Sequence, residues 1–173
     1  MTRVQSIMED PLFAEYLSKN SIKEADRKFC RHTFQHLVDV ARITYIQMLE
    51  SGGIKSFCEE KDINMRLARE IIYAAALLHD IGRWKEYETG EDHAAVSAEL
   101  ARDILRRTGF RESEIRIITT AISEHRRTTE NMSVLGTFLY RADNQSRLCL
   151  RCEASNECYK FDQMETARKG LIY

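Results

Sequence analysis

The chain has one proline, Pro11, and only seven glycines in 173 residues. These two residue types interrupt helices most strongly, so their scarcity points to helix throughout. No stretch alternates polar and apolar residues with a period of two over a useful length, which argues against a sheet. No apolar run is long enough to cross a bilayer. The start, "MTRVQSIMEDPLF", also lacks the continuous apolar core of an export signal. The expectation is a cytoplasmic protein without membrane contact. A net charge of −1 gives no broad pull toward nucleic-acid polymers or anionic lipid. Five cysteines, an odd number in a chain with no export signal, favour reduced thiols or metal ligands over a disulfide frame.

What the chain does have is a series of segments with helical periodicity, which together predict one all-α unit. The expected layout is an N-terminal helical segment over 1–29, a helical bundle over 30–147 and a cysteine-containing tail over 148–173. Ser21 and Glu24 in "SIKE" have capping-box spacing. They are expected to open a long helix through Phe29, Leu37, Val40, Ile43 and Ile46, closed by the glycines of "ESGG". Asp62 is the expected N-cap of a helix running through "IIYAAALLHD" toward Gly82. Further helices fit "HAAVSAELARDILRRTG", stopped by Gly109, then "SEIRIITTAISEH" and "SVLGTFLYRADNQSR".

Within this frame, "AAALLHDIGRW" over residues 74–84 runs five apolar residues into His79 and Asp80. Burying such a pair is costly unless each group finds a partner. Neighbours on a helix diverge by about 100°, so the two share a target only at the helix end. A metal ion there accepts an imidazole lone pair and a carboxylate charge together. Three more histidines occupy comparable places. His36 sits in "HLVDVARI", His93 opens the helix after "ETGED", and His125 closes one in "ISEHRR". Asp143 follows the apolar "LGTFLY". Four histidines and two aspartates at inward or helix-end positions form a metal set. Its mixed donors suit Mn, Fe, Ni, Co, Zn or Mg alike.

The ordered set His36, His79-Asp80, His93, His125, Asp143 resembles the HD-domain metal-dependent phosphohydrolases over roughly residues 30–147. "HLVDVARI", "LLHDIGR", "HAAVSAELA", "ISEHRR" and "RADNQSR" carry the likeness. The resemblance implies a single HD-domain helical bundle in which His36, His79, Asp80 and Asp143 hold one divalent ion. His93 and His125 would add a second, with Asp80 bridging the two. Such ions lower the pKa of bound water and polarise a phosphoryl oxygen. The implied activity is hydrolysis of a phosphomonoester or phosphodiester in a small phosphorylated metabolite or nucleotide, with Asp80 and Arg83 as catalytic residues. Arg83 replaces the family's usual lysine after "HDIG" but keeps the charge and can grip phosphate bidentately. The glycine-tyrosine-proline motif of the cyclic-dinucleotide branch is missing, which argues against that substrate. The competing readings are a non-catalytic metal- or ligand-binding regulatory module and a di-iron oxygenase on the same scaffold.

Other residues complete the expected site. Arg83, Arg126, Arg127 and His32 are candidates for substrate contact, His32 on the same helix face as His36. Trp84 and Tyr87 are aromatics able to stack on a base or to serve as core. Glu124 and Asp92 are conceivable acid or base groups with no role assigned. In "CLRCEASNEC", Cys149, Cys152 and Cys158 crowd the start of the tail. If His36 and Asp143 meet on antiparallel helices, Cys30 and Cys149, each six residues away, arrive side by side. That reasoning predicts a cluster of Cys30, Cys149, Cys152 and Cys158 holding zinc, an iron–sulfur cluster or an oxidised pair, with packing as the plainer alternative. Cys58 is expected to pack.

Overall fold

The most apolar stretch of the chain becomes its central helix. The computed structural model describes residues 1–126 and 129–173. In it, α1 (Thr2–Glu9) and α2 (Pro11–Lys23) lead to α3 (Phe34–Glu50), α4 (Gly53–Lys61) and α5 (Met65–Leu78). There follow α6 (Arg83–Thr89), α7 (His93–Arg107), α8 (Glu112–Glu124) and α9 (Val134–Gln145). Three short 3₁₀ turns and α10 (Glu165–Lys169) make up the tail, and no strand occurs among the described residues. Along α5, Ala68, Ile71, Ile72 and Ala74 to Leu78 are all buried. A helix apolar on nearly every side must be enclosed. Here α3 and α8 flank it, α9 packs against both of these, and α7 lies on α8. No helix among the described residues is long and apolar enough to cross a membrane.

Helix ends differ from the sequence expectation where tertiary contacts claim the capping residues. Ser21 does not open the long helix; it lies within the last turn of α2. Glu24 is instead turned inward, accepting the backbone N–H of His32 at 2.7 Å. The chain therefore loops over residues 24–33, and Thr33 caps α3 by accepting the N–H of His36. Asp62 is not an N-cap either. It ends α4 in the left-handed conformation, and Asn64 caps α5 by accepting the N–H of Leu67. Ile46, expected in the core, is 37% exposed, and Met48 is buried in its place. The expected run of α5 toward Gly82 stops short, with His79 already the C-cap. The short α6 went unforeseen because it carries no buried residue, hence no apolar stripe to read.

The turn between α5 and α6 needs its glycine. A Cβ on Gly82 would lie 2.7 Å from the backbone nitrogen of Ser97, inside any tolerable contact. The Gly82 N–H donates to Ser97 Oγ at 2.8 Å, so α7 rests directly on the turn. On the other side the amide of Asn20 donates to the Asp80 carbonyl, and its oxygen accepts the N–H of Trp84. The buried Asn20 thereby fixes the turn from α2.

At the far end of the bundle Arg3 joins three helices. Its guanidinium contacts Glu70 on α5 at 2.7 Å and Glu114 on α8 at 2.6 Å, and both carboxylates are buried. It also stacks 4.2 Å from the Phe110 ring centre. Removing the cation leaves two buried carboxylates facing each other. Arg3→Ala is expected to destabilise the fold by about 3 kcal/mol, near the low end for a broken buried pair because Arg3 is partly open to water. Urea denaturation followed by circular dichroism measures this, and an unchanged midpoint refutes it.

Candidate metal centre

Five helix ends meet at one point. His36 lies in the first turn of α3, His79 caps α5 with Asp80 just beyond it, and His93 starts α7. His125 caps α8, and Asp143 lies in the last turn of α9. Asp80 is the centre of the arrangement. Its Oδ2 stands 3.1 Å from His79 Nε2 and 3.7 Å from His36 Nε2. Its Oδ1 stands 3.3 Å from His93 Nε2 and 3.6 Å from His125 Nε2. Asp143 Oδ1 closes the first group, 3.2 Å from His36 Nε2 and 3.9 Å from His79 Nε2. The donors thus fall into two groups, His36, His79, Asp80 and Asp143, and Asp80, His93 and His125.

The tautomers are set from outside. His79 Nδ1–H donates to the carbonyl of Ala76 at 2.6 Å, and His125 Nδ1–H to that of Ile122 at 2.6 Å. His93 donates to Glu86 at 2.6 Å. Ser146 spends its hydroxyl proton on the Asp143 carbonyl, so its oxygen accepts from His36 Nδ1 at 3.1 Å. His32 donates Nδ1–H to Glu24 and turns Nε2 to 3.8 Å from Asp80 Oδ2. All five histidines of the chain therefore turn Nε2 toward Asp80. This is the outer-shell arrangement that prepares imidazoles for a metal.

These residues fit divalent ions. Donors about 2.1 Å from an ion stand roughly 3.0–3.4 Å from one another, close to the spacings here. The Nε2 atoms of His79 and His125 and the Oδ1 of Asp80 are buried without a hydrogen-bond partner. Polar atoms are rarely left so, and convergent lone pairs call for a cation. Burial opposes a charge on His79, but the Asp80 and Asp143 carboxylates push it up to about 10. Without an ion this imidazole therefore carries the proton that a cation would replace. Burial works against the charge on Asp80 and Asp143, yet the surrounding imidazoles hold both carboxyls well below the usual range. Burial, with the charge of Arg83 nearby, brings His93 down to about 4 despite Asp80, so it offers a neutral ring. Burial likewise lowers His32. Burial opposes the charge on Glu24 too, but His32 and the Tyr87 hydroxyl hold it at about 2.

The centre forms the floor of a cleft of about 680 Å³. His32, Arg83 and Arg126 all line it. His32 is not on the α3 helix as expected but in the loop before it. Arg83 and Arg126 are both tied to Glu86, at 2.9 and 2.8 Å, and Arg126 reaches Asp92 at 3.3 Å. Arg127 lies outside the described residues. Trp84 does not line the cleft. It stacks on Tyr16 under Lys19, while Tyr87 does face the opening. Asp92 caps α7, and Glu124 accepts from the backbone and hydroxyl of Ser133, so both serve helix ends.

Sequence reasoning missed Glu24, Glu86 and Arg147. Arg147 Nη2 lies 2.9 Å from His36 Nε2 and 3.3 Å from Asp143 Oδ1. Its place one turn after Asp143 was the available signal. The tail was also missed as a wall of the cleft, to which it gives Tyr159, Lys160, Gln163, Met164, Glu165 and Arg168.

Comparison with known proteins accords with this geometry. An uncharacterised protein of Clostridium beijerinckii is 39% identical over 159 residues, covering 91% of this chain and 92% of that protein. A bifunctional uridylyltransferase/uridylyl-removing enzyme of Bradyrhizobium diazoefficiens is 31% identical over 94 residues, 53% of this chain but 10% of that enzyme. Ribonuclease Y of Lactobacillus gasseri is 26% identical over 145 residues, 82% of this chain and 23% of its own length. The chain thus spans only a small part of the two named enzymes. No solved structure gives a significant match. The profile of the HD domain matches residues 33–148, a span that holds every histidine and aspartate of the two donor groups. The chain belongs to the HD domain family.

Proposed function

We propose that the chain is a metal-dependent phosphohydrolase acting on a small phosphorylated metabolite or nucleotide. One observation carries this reading: Asp80 presents one oxygen to each of two donor groups. His36, His79, Asp80 and Asp143 would hold one ion, and Asp80, His93 and His125 a second. Divalent ions bound there activate water and polarise a phosphoryl oxygen. The relatives named for uridylyl removal and for ribonuclease activity are compatible with phosphoester chemistry.

The protein's own groups supply the rest. Arg83 is largely buried between His93 and Glu86, with Nη1 3.0 Å from His93 Nε2. It holds a fixed positive charge at the edge of the centre, where a phosphoryl oxygen would sit. Arg147 supplies the same charge on the His36 side. Arg126, about a third exposed, and Arg27, Arg141, Lys160 and Arg168 around the cleft favour an anionic substrate. Tyr87, Tyr140 and Tyr159 give apolar faces for the rest of it. The basic rim around acidic floor ligands separates the two tasks: the rim collects the anion, and the floor holds the cations.

Two measurements test the reading. In excess Mn²⁺ the purified protein is expected to bind about two ions per chain. His125→Ala should retain one, whereas Asp80→Ala should lose tight binding of both; metal analysis after desalting decides. A ceiling of one ion in the unaltered protein defeats the paired centre. Activity is assayed on a phosphatase, phosphodiesterase and nucleotidase panel with Mn²⁺, Ni²⁺, Co²⁺ and Mg²⁺. Asp80→Ala is expected to lower kcat by about 10³-fold or more, the equivalent of several kcal/mol of lost stabilisation. Equal turnover by Asp80→Ala and the unaltered protein would assign the activity elsewhere.

A further inference from the structure

Four of the five cysteines gather away from the histidines. Cys30 lies in the loop ahead of α3 and Cys149 in a 3₁₀ turn after α9, so neither is on the helix that the sequence reasoning placed it on. Other contacts unite them. Arg147 Nη1 donates to the carbonyl of Arg31 at 3.1 Å, and Lys28 forms an ion pair with Glu157. These two links fasten residues 28–31 along the segment that runs from Cys149 to Cys158. That segment folds into successive short turns. The N–H of Cys152 donates to the Cys149 carbonyl, that of Ser155 to Cys152, and that of Cys158 to Ser155. Burial raises the Cys149 thiol, the buried Thr166 hydroxyl lowers it, and the charges of Cys30, Cys152 and Cys158 raise it again. All three thiols thus lie within electrostatic reach of the fourth.

Packing does not explain this grouping. Cys149 is buried, but Cys152 and Cys158 are only half-buried and Cys30 is exposed. An apolar filler would be inside. The sequence around them is rich in cations. Arg27, Lys28 and Arg31 flank Cys30, Arg147 and Arg151 flank Cys149, and Lys160 follows Cys158, against Glu153 and Glu157. Four thiolates together repel unless a cation draws them in. A single zinc ion, with Zn–S of about 2.3 Å, needs its sulfurs about 3.8 Å apart. No three of these sulfurs lie within 4.8 Å of one another. In a cubane cluster each cysteine binds a different iron, which holds the sulfurs farther apart.

We propose that Cys30, Cys149, Cys152 and Cys158 ligate a [4Fe–4S] cluster that fastens the tail to the loop before α3. The spacing Cys149-x₂-Cys152-x₅-Cys158 supplies three ligands from one short segment, and Cys30 supplies the remote fourth. Because Tyr159 and Lys160 follow Cys158 directly and line the cleft, the cluster holds one wall of the cleft in place. The assignment stands apart from phosphoester hydrolysis, and either can fail alone.

The test uses the whole 173-residue chain, purified without oxygen and reconstituted with equal ferrous and ferric iron and sulfide. About four acid-labile sulfide per chain are expected, with about four iron left in a variant whose histidine centre is disabled, and broad visible absorption bleached by dithionite. Labile sulfide is the deciding readout, since the histidine centre accounts for none of it. A His79→Ala/Asp80→Ala double variant should keep the sulfide. Cys152→Ser should lose it and expose the tail to trypsin. One tightly bound zinc per chain in the His79→Ala/Asp80→Ala variant, an oxidised cysteine pair or four alkylatable thiols after reconstitution overturns the proposal. The assay on the unaltered chain decides even where the serine variant fails to fold.

Discussion

A carboxylate buried at the end of the central helix is the constraint that organises the rest. Asp80 is 2% exposed and sits where α5 gives way to a tight turn. Away from water its charge is tolerable only among cations and donors. The fold answers by turning all five imidazoles toward it, and each ring is anchored on its far side. The carbonyls of Ala76 and Ile122 anchor two, Ser146 one, and the carboxylates Glu24 and Glu86 the remaining pair. Every anchor sits on Nδ1, so Nε2 is the inward atom of every ring. Against the effect of burial, Asp80 and Asp143 push His79 up to about 10, and a bound cation would take the place of its inward proton. An arrangement of this kind needs helices that end at the same place, and the enclosing of α5 by α3, α8 and α9 provides it.

Charge is balanced in layers around that centre. The inner aspartates are met by histidines, and Glu86 beyond them is met by Arg83 and Arg126. Arg147 occupies the opposite side, between His36, Asp143 and the carbonyl of Arg31. The outermost layer is the basic rim of the cleft. Carboxylates therefore dominate at the floor and cationic side chains at the mouth.

Much of this was legible where the signal is local. The apolar run of α5 and the periodic faces of α7, α8 and α9 read directly, as did the stops at Gly109 and "ESGG". The six histidines and aspartates at helix ends stood out because the chain has so few histidines. What escaped was set by distant partners. Glu24 has the spacing of a capping residue, but the burial of His32 takes it for another purpose. The small α6 has no buried face, so no pattern marks it. Glu86 and Arg147 are single members of a charged population that makes up 31% of the chain, and only the fold selects them. The tail's place beside the cleft follows from contacts between residues more than a hundred positions apart, such as Lys28 with Glu157.

The placing of ligands at helix termini has a consequence for how the sequence can change length. Each added residue in an α-helix advances its end by about 1.5 Å and turns it by about 100°. An insertion within α5 or α8 would therefore swing His79 or His125 away from Asp80, however well the lengthened helix still packed. Apart from the α5–α6 turn that holds Asp80 and the loop that holds His32, the connections carry no such coupling. The tail beyond Cys158 can grow or shrink while the inner ends of the helices stay fixed. Variation in length among sequences of this architecture should therefore gather outside the helices that carry the ligands. The rim of the cleft would then be remodelled while its floor is kept.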